Sequence, residues 1–215
     1  MVDNSPNLIS SISYFDALQL HFKLGSDPSL IFHCNHVTTI ADQIMLQLPS
    51  NIYVNRNLVL IGAFLHDIGR TKTQGIKHGI IGSKIILSEF KQTQFTSTIA
   101  KMAARHIGGG IPKEETKDLD LPYEDYLPIS LEEKIVCYSD KLADYEFENR
   151  NGNYIIKKWF TYNSVTNEIN KLALKLGPDH PAISRLKKLE IELVSLNNDR
   201  NFNFIINENN KVSFR

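Results

Sequence analysis

Surplus charge of one sign is missing from this sequence: 24 aspartates and glutamates are matched by 24 lysines and arginines, for a formal net charge of zero. That balance predicts no global attraction to nucleic acid or to an anionic membrane. Cysteine is scarce as well. Cys34 and Cys137 stand apart, without the Cys-x-x-Cys spacing of a metal knuckle or redox motif, and read as reduced, buried thiols. A long apolar run is also absent. The longest, Leu58 to Leu65, falls far short of the roughly 20 residues that cross a bilayer. The N-terminus carries no basic segment followed by an apolar one, so a cytoplasmic protein with no membrane partner is expected.

What is present is helical periodicity, with almost no strand-like alternation. An all-α bundle follows, as a single domain over 1–215 with a core at 28–145, a helical extension at 154–197 and a tail at 198–215. Helices are predicted over 7–24, from about 29 to before Pro49, and over 55–68, 78–90 and 94–107. The third is apolar nearly all round, as a central helix is, and Gly69 is placed as its C-terminal stop. Gly108-Gly109-Gly110 ends the fifth and opens a long loop to residue 129. Ser130 and Glu133 form a predicted capping box for the next helix. Two further helices are predicted over 154–176 and 179–197, and the tail from Phe202 to Phe214 admits a small hairpin.

The chemistry centres on His66-Asp67, at the end of the oily run Ala63-Phe64-Leu65. An imidazole and a carboxylate are costly to bury without partners. His33, His78, His106 and Asp140 join them, each predicted on the apolar face of its own helix. His33 shares a stripe with Val37, Ile40, Ala41 and Ile44; His78 with Ile81, Gly82 and Ile85; His106 with Ile99, Met102 and Ala103; Asp140 with Val136. One or two divalent transition ions would satisfy all six groups together. Mixed imidazole and carboxylate ligands suit Mn, Fe, Co, Ni or Zn, and the absence of thiolates argues against a structural zinc site. Asp67 has two oxygens and can bridge two ions. Such a pair can hold a hydroxide at neutral pH and clamp a phosphoryl oxygen.

This pattern resembles the HD-domain superfamily of metal-dependent phosphohydrolases in its six-ligand version. The stretches His33-Cys34-x-x-Val37, Leu65-His66-Asp67-Ile68-Gly69-Arg70 and Arg105-His106-Ile107-Gly108-Gly109-Gly110-Ile111 resemble an archaeal branch of small HDIG proteins. So do Leu131-Glu132-Glu133-Lys134-Ile135-Val136 and Asp179-His180-Pro181-Ala182-Ile183. Gln74 departs from that branch, which tends to have a histidine there. His33 and His36 both sit on the second helix, and the family's spacing selects His33, through Val37 and Ala41, in agreement with the apolar stripe. The resemblance implies one ion on His33, His66, Asp67 and Asp140, and a second on Asp67, His78 and His106. It further implies hydrolysis of a phosphate ester or anhydride of a nucleotide or related small molecule by a metal-activated hydroxide. Among related families, the symmetrical dinucleoside tetraphosphate hydrolases are the most similar in spacing. A di-iron oxygenase of the inositol-oxygenase kind fits poorly, because its spacing after the His-Asp pair is much longer. A binding module without turnover is the remaining alternative.

Arg70 and Lys72 are expected to be catalytic, meeting substrate phosphate from the loop after His66-Asp67, with Lys77, Arg105 and Lys141 as weaker candidates. The glycine run reads as a helix stop, His180 as part of a helix-entry turn, Asp144 as a solvated or capping carboxylate, and Trp159, Phe160 and Tyr162 as core.

Overall fold

Side-chain caps set where most of the helices begin. The structure of the protein, a computed structural model, describes residues 12–150, 153–198 and 201–204. Its elements run α1 (Tyr14–Lys23), α2 (Pro28–Leu46), α3 (Arg56–Leu65), α4 (His78–Glu89), α5 (Gln94–Arg105), the short α6 (Lys113–Thr116) and α7 (Leu131–Leu142). Then follow β1 (Ala143–Arg150), β2 (Asn153–Thr161), α8 (Thr166–Leu176) and α9 (Pro181–Leu196). Ser13, Asp27, Asn55, Thr93 and Ser130 each accept a bond from a first-turn amide. Such a cap stabilises its helix by about 1 kcal/mol.

The architecture is the expected all-α bundle. α3 is central: Val59, Ile61, Ala63, Phe64 and Leu65 are buried, and the helix packs against α2, α5 and α7. Cys34 and Cys137 are buried free thiols, as read from the sequence. Among the described residues no helix is long and apolar enough to cross a membrane.

The main departure is a hairpin where a helix over 154–176 was predicted. β1 pairs antiparallel with β2, from Ala143 against Thr161 to Arg150 against Asn153, with an irregularity between Glu146 and Phe147. Tyr154, Ile155, Ile156, Trp159 and Phe160 are β-branched or aromatic, types that favour a pleated surface over a helix. The intervening sequence, Asn151-Gly152, is the dipeptide that two-residue hairpin loops favour. Only from Thr166 does the helix α8 begin. The hairpin expected in the tail falls largely outside the described residues, as do residues 7–11 of the first predicted helix and the side chain of Trp159.

One boundary and one cap also differ. α3 ends at Leu65, and residues Ile68–Thr71 form a tighter 3₁₀ turn, so His66 and Asp67 sit past the helix rather than within it. Gly69 is therefore not a left-handed stop. It is where the turn meets α4: a Cβ at Gly69 would lie 2.0 Å from the carbonyl oxygen of His78. The predicted capping box is half made. Ser130 accepts from Glu133 N at 3.2 Å, but the Glu133 carboxylate accepts from Ile129 N and from Arg105 instead of returning to Ser130.

Candidate metal centre

Five segments bring the six expected ligands to one place. His33 comes from α2, His66 and Asp67 from the end of α3, His78 from the first residue of α4, His106 from the end of α5 and Asp140 from α7. His33 Nε2 lies 3.1 Å from Asp140 Oδ1 and 3.6 Å from Asp67 Oδ2. His66 Nε2 lies 3.4 Å from Asp140 Oδ1 and 3.7 Å from Asp67 Oδ2. On its other oxygen, Asp67 Oδ1 faces His78 Nε2 at 2.9 Å and His106 Nε2 at 3.4 Å. Asp67 thus presents one oxygen to each pair of histidines. The ligand atoms fall into three overlapping groups of metal-binding size, His33-His66-Asp67, His66-His106-Asp140 and Asp67-His78-His106.

The sequence placed every ligand on a helical face; His66, Asp67 and His106 instead lie just past the ends of α3 and α5, and His78 opens α4 at its predicted start. The ends explain the orientation. His66 Nδ1 donates to Ala63 O at 2.7 Å and His106 Nδ1 to Ala103 O at 2.8 Å, each a last-turn carbonyl that lacks an intrahelical donor. His78 Nδ1 donates to Gly75 O at 2.5 Å, just before α4. With Nδ1 held on a backbone carbonyl, each ring turns Nε2 inward, the arrangement that prepares a histidine for a metal.

A cation fits these residues. His78 Nε2 and His106 Nε2 are 3.0 Å apart. Burial lowers the pKa of His106 to about 4, so its ring is neutral at pH 7 and its inward nitrogen is a bare lone pair. A cation bound there would take both nitrogens as ligands, together with Asp67. His66 Nε2 and Asp67 Oδ1, both buried, make no hydrogen bond, which a bound cation would remedy.

Electrostatics point the same way. Burial pushes both carboxyl groups up, but His66, His106 and His78 hold Asp67 well below the usual range, and Lys141, His33 and His66 do the same for Asp140. Burial opposes charge on His66 too, yet Asp67 and Asp140 raise it well above its ordinary value. His66 is then protonated near neutral pH until a metal displaces that proton. Metal uptake is accordingly expected to release about one proton per chain and to strengthen as pH rises. Calorimetry in buffers of different ionisation enthalpy measures this, and a buffer-independent heat would contradict it.

The cluster opens into a cleft of about 740 Å³ lined in part by His33, Asp67, Arg70, Asp140, Lys141 and Tyr145. Arg70 lines it and donates Nε to Asp67 Oδ2 at 2.6 Å. Lys72 does not: it is exposed and off the cleft, because two steps along a three-residue turn carry it to another face. Lys77 and Arg105 are engaged elsewhere, with Asp120 at 2.5 Å and Glu133 at 2.9 Å. Lys141 holds Asp140 Oδ2 at 2.5 Å.

His36 stays outside the ligand set. It meets Phe160 O at 2.9 Å and Thr161 Oγ1 at 3.3 Å, pinning the hairpin to α2. His36→Ala should keep full metal content while loosening the hairpin, seen as faster amide exchange over β2; loss of metal would contradict this. His21 is buried between Ser26 Oγ and Phe64 O, and His180 caps α9. Gly108, Gly109 and Gly110 all have positive φ and turn the chain against α9 and Pro128, away from the cleft.

Sequence reasoning missed the cleft's outer wall, formed by Asp144 and Tyr145 of β1, Glu168 and Lys171 of α8, and Asp27 before α2. Asp144 is no helix cap. It accepts from Tyr162 Oη at 3.2 Å, Asn167 Nδ2 at 3.2 Å and Lys171 Nζ at 2.9 Å, tying α8 to β1. The signal for the wall was Asn151-Gly152.

The profile of the HD domain family matches residues 30–144. A protein of Methanocaldococcus jannaschii, named only as uncharacterised, is 37% identical over 169 residues, 78% of this chain and 89% of that protein. A Picrophilus torridus protein named tRNA (cytidine(56)-2'-O)-methyltransferase is 35% identical over 193 residues, 90% of this chain and 50% of its own length. A protein of the same name from Thermoplasma volcanium is 40% identical over 125 residues, 58% of this chain and 35% of its own. The chain thus spans half or less of the two methyltransferases it matches. No solved structure matches.

Proposed function

This chain belongs to the HD-domain family, and on that premise we propose that it is a metal-dependent phosphohydrolase acting on a phosphate ester or anhydride of a nucleotide or related small molecule. One observation carries this reading: imidazole nitrogens and two carboxylates converge at the floor of an open cleft. His33, His66, Asp67 and Asp140 would hold one ion, and Asp67, His78 and His106 a second. Bound there, a divalent ion supplies Lewis-acid polarisation of a phosphoryl oxygen and lowers the pKa of water.

The chain's own residues do the rest. The carbonyls of Ala63, Ala103 and Gly75 fix the ligating rings, so little reorganisation accompanies binding. Arg70 uses Nε on Asp67 and has its two Nη groups without a hydrogen bond to any described residue. That fork is suited to grip a phosphoryl group beside the ligands. Lys141 fixes Asp140 through Oδ2, which leaves Oδ1 for the metal.

The test is elemental analysis of protein purified without chelator or affinity nickel, followed by hydrolysis assays with Mn, Co, Fe and Ni. One or two transition-metal equivalents and metal-dependent phosphate release are expected. Zero metal, with none taken up on titration, would sink the reading.

A further inference from the structure

Each cation that lines the cleft is already engaged by a carboxylate: Arg70 by Asp67, Lys141 by Asp140 and Lys171 by Asp144. Two more carboxylates line the same cleft. Asp27 caps α2, accepting from Ser29 N at 2.8 Å and Ser29 Oγ at 2.5 Å. Glu168, in the first turn of α8, hydrogen-bonds to no described residue, and its charge reaches both Lys141 and Lys171. The wall made by α8, β1 and the start of α2 therefore carries Asp27, Asp144 and Glu168 with Lys171 as its own cation, while Lys141 is held by Asp140.

We propose that Glu168 is a specificity-determining residue, which makes the cleft accept a substrate with a single phosphoryl group and reject one with a second anionic group. The inference rests on the phosphohydrolase reading. Arg70's Nη groups and the bound metal meet one phosphate, and no uncommitted cation remains for another. The far half of the substrate faces carboxylates, which favour hydroxyl or amine donors and repel phosphate or carboxylate. A like charge brought near Glu168 in a partly solvated cleft is expected to lower binding roughly 10- to 100-fold. The selection is thus for monoesters of polyols, sugars or amino alcohols and against polyphosphates, contrary to the tetraphosphate hydrolases that the motif spacing resembles. Glu168 and Lys171 lie beyond residue 144, where the family match ends, so this part of the wall lies outside the HD-domain match.

The experiment uses the full chain loaded with Mn and three probes: glycerol 1-phosphate, 3-phosphoglycerate and ADP. Thermal stabilisation reads binding, and phosphate release reads turnover. Glycerol 1-phosphate should lead the other two by at least about tenfold in kcat/KM and in apparent affinity. Glu168→Lys should collapse or invert the preference over 3-phosphoglycerate, and Glu168→Gln should narrow it. Equal or reversed preference in the wild type, a ratio unmoved by Glu168→Lys, or no stabilisation by any probe overturns the proposal. Turnover in the wrong order sinks the selection while the hydrolase reading stands. Binding in the expected order without turnover does the opposite.

Discussion

Asp67→Ala is expected to empty the centre of metal and to lower phosphohydrolase turnover by about a thousandfold or more. Asp67 is the one group that faces all four histidines, through Oδ2 toward His33 and His66 and through Oδ1 toward His78 and His106. Its loss removes the shared ligand of both proposed sites at once. It also leaves Arg70 without the acceptor of its Nε. A metal's stabilisation of transition-state charge amounts to several kcal/mol, which sets the thousandfold scale. Helical content should stay near wild type by far-ultraviolet circular dichroism, because the helices are held by the apolar contacts of α3 with α2, α5 and α7. Retention of a full metal complement in this variant would overturn the assignment.

Gly69→Ala is expected to cost the fold at least about 3 kcal/mol, the upper end of what overpacking usually costs. The new methyl would lie 2.0 Å from His78 O and 2.6 Å from Gly82 N, both backbone atoms that cannot swing aside. α4 would have to move away from the His66-Asp67 turn and carry His78 with it. Two readouts should therefore fall together: the unfolding midpoint in urea, and occupancy of the ion on Asp67, His78 and His106. Gly75→Ala is the control. Nothing lies within 4 Å of its Cβ position, but its φ of +82 is unfavourable for alanine, so a loss of about 1 kcal/mol with metal retained is expected. A Gly69→Ala variant as stable as Gly75→Ala would show that the close approach does not position α4.

Much of this site was legible in the chain before folding, for identifiable reasons. Burying His66 and Asp67 at the end of an apolar run demands compensation, and only a handful of other groups carried the chemistry to provide it. The choice of His33 over His36 rests on the spacing of the family it resembles, with the stripe of Val37, Ile40, Ala41 and Ile44 in accord, and in the structure His36 turns to the hairpin. The hairpin was missed because Tyr154 to Phe160 were weighed by periodicity, while β-branched content and Asn151-Gly152 carried the stronger information. Lys72 and Arg70 look equivalent along the chain as neighbouring cations, and a 3₁₀ turn separates them.

The sequence by itself determined the helical class, the six ligand types and the family, since these depend on local periodicity and residue chemistry. Tertiary structure alone decided which atoms face the centre. His33 and Asp140 are 107 residues apart and meet because α2 and α7 pack against each other as well as on α3. The inward turn of His66 and His106 Nε2 was set by last-turn carbonyls whose availability depends on where each helix stops. The wall of Asp144, Glu168 and Lys171 exists because the hairpin brings α8 back over the cleft. Such pairings across a hundred residues are fixed by the geometry of backbone packing, which no local pattern records.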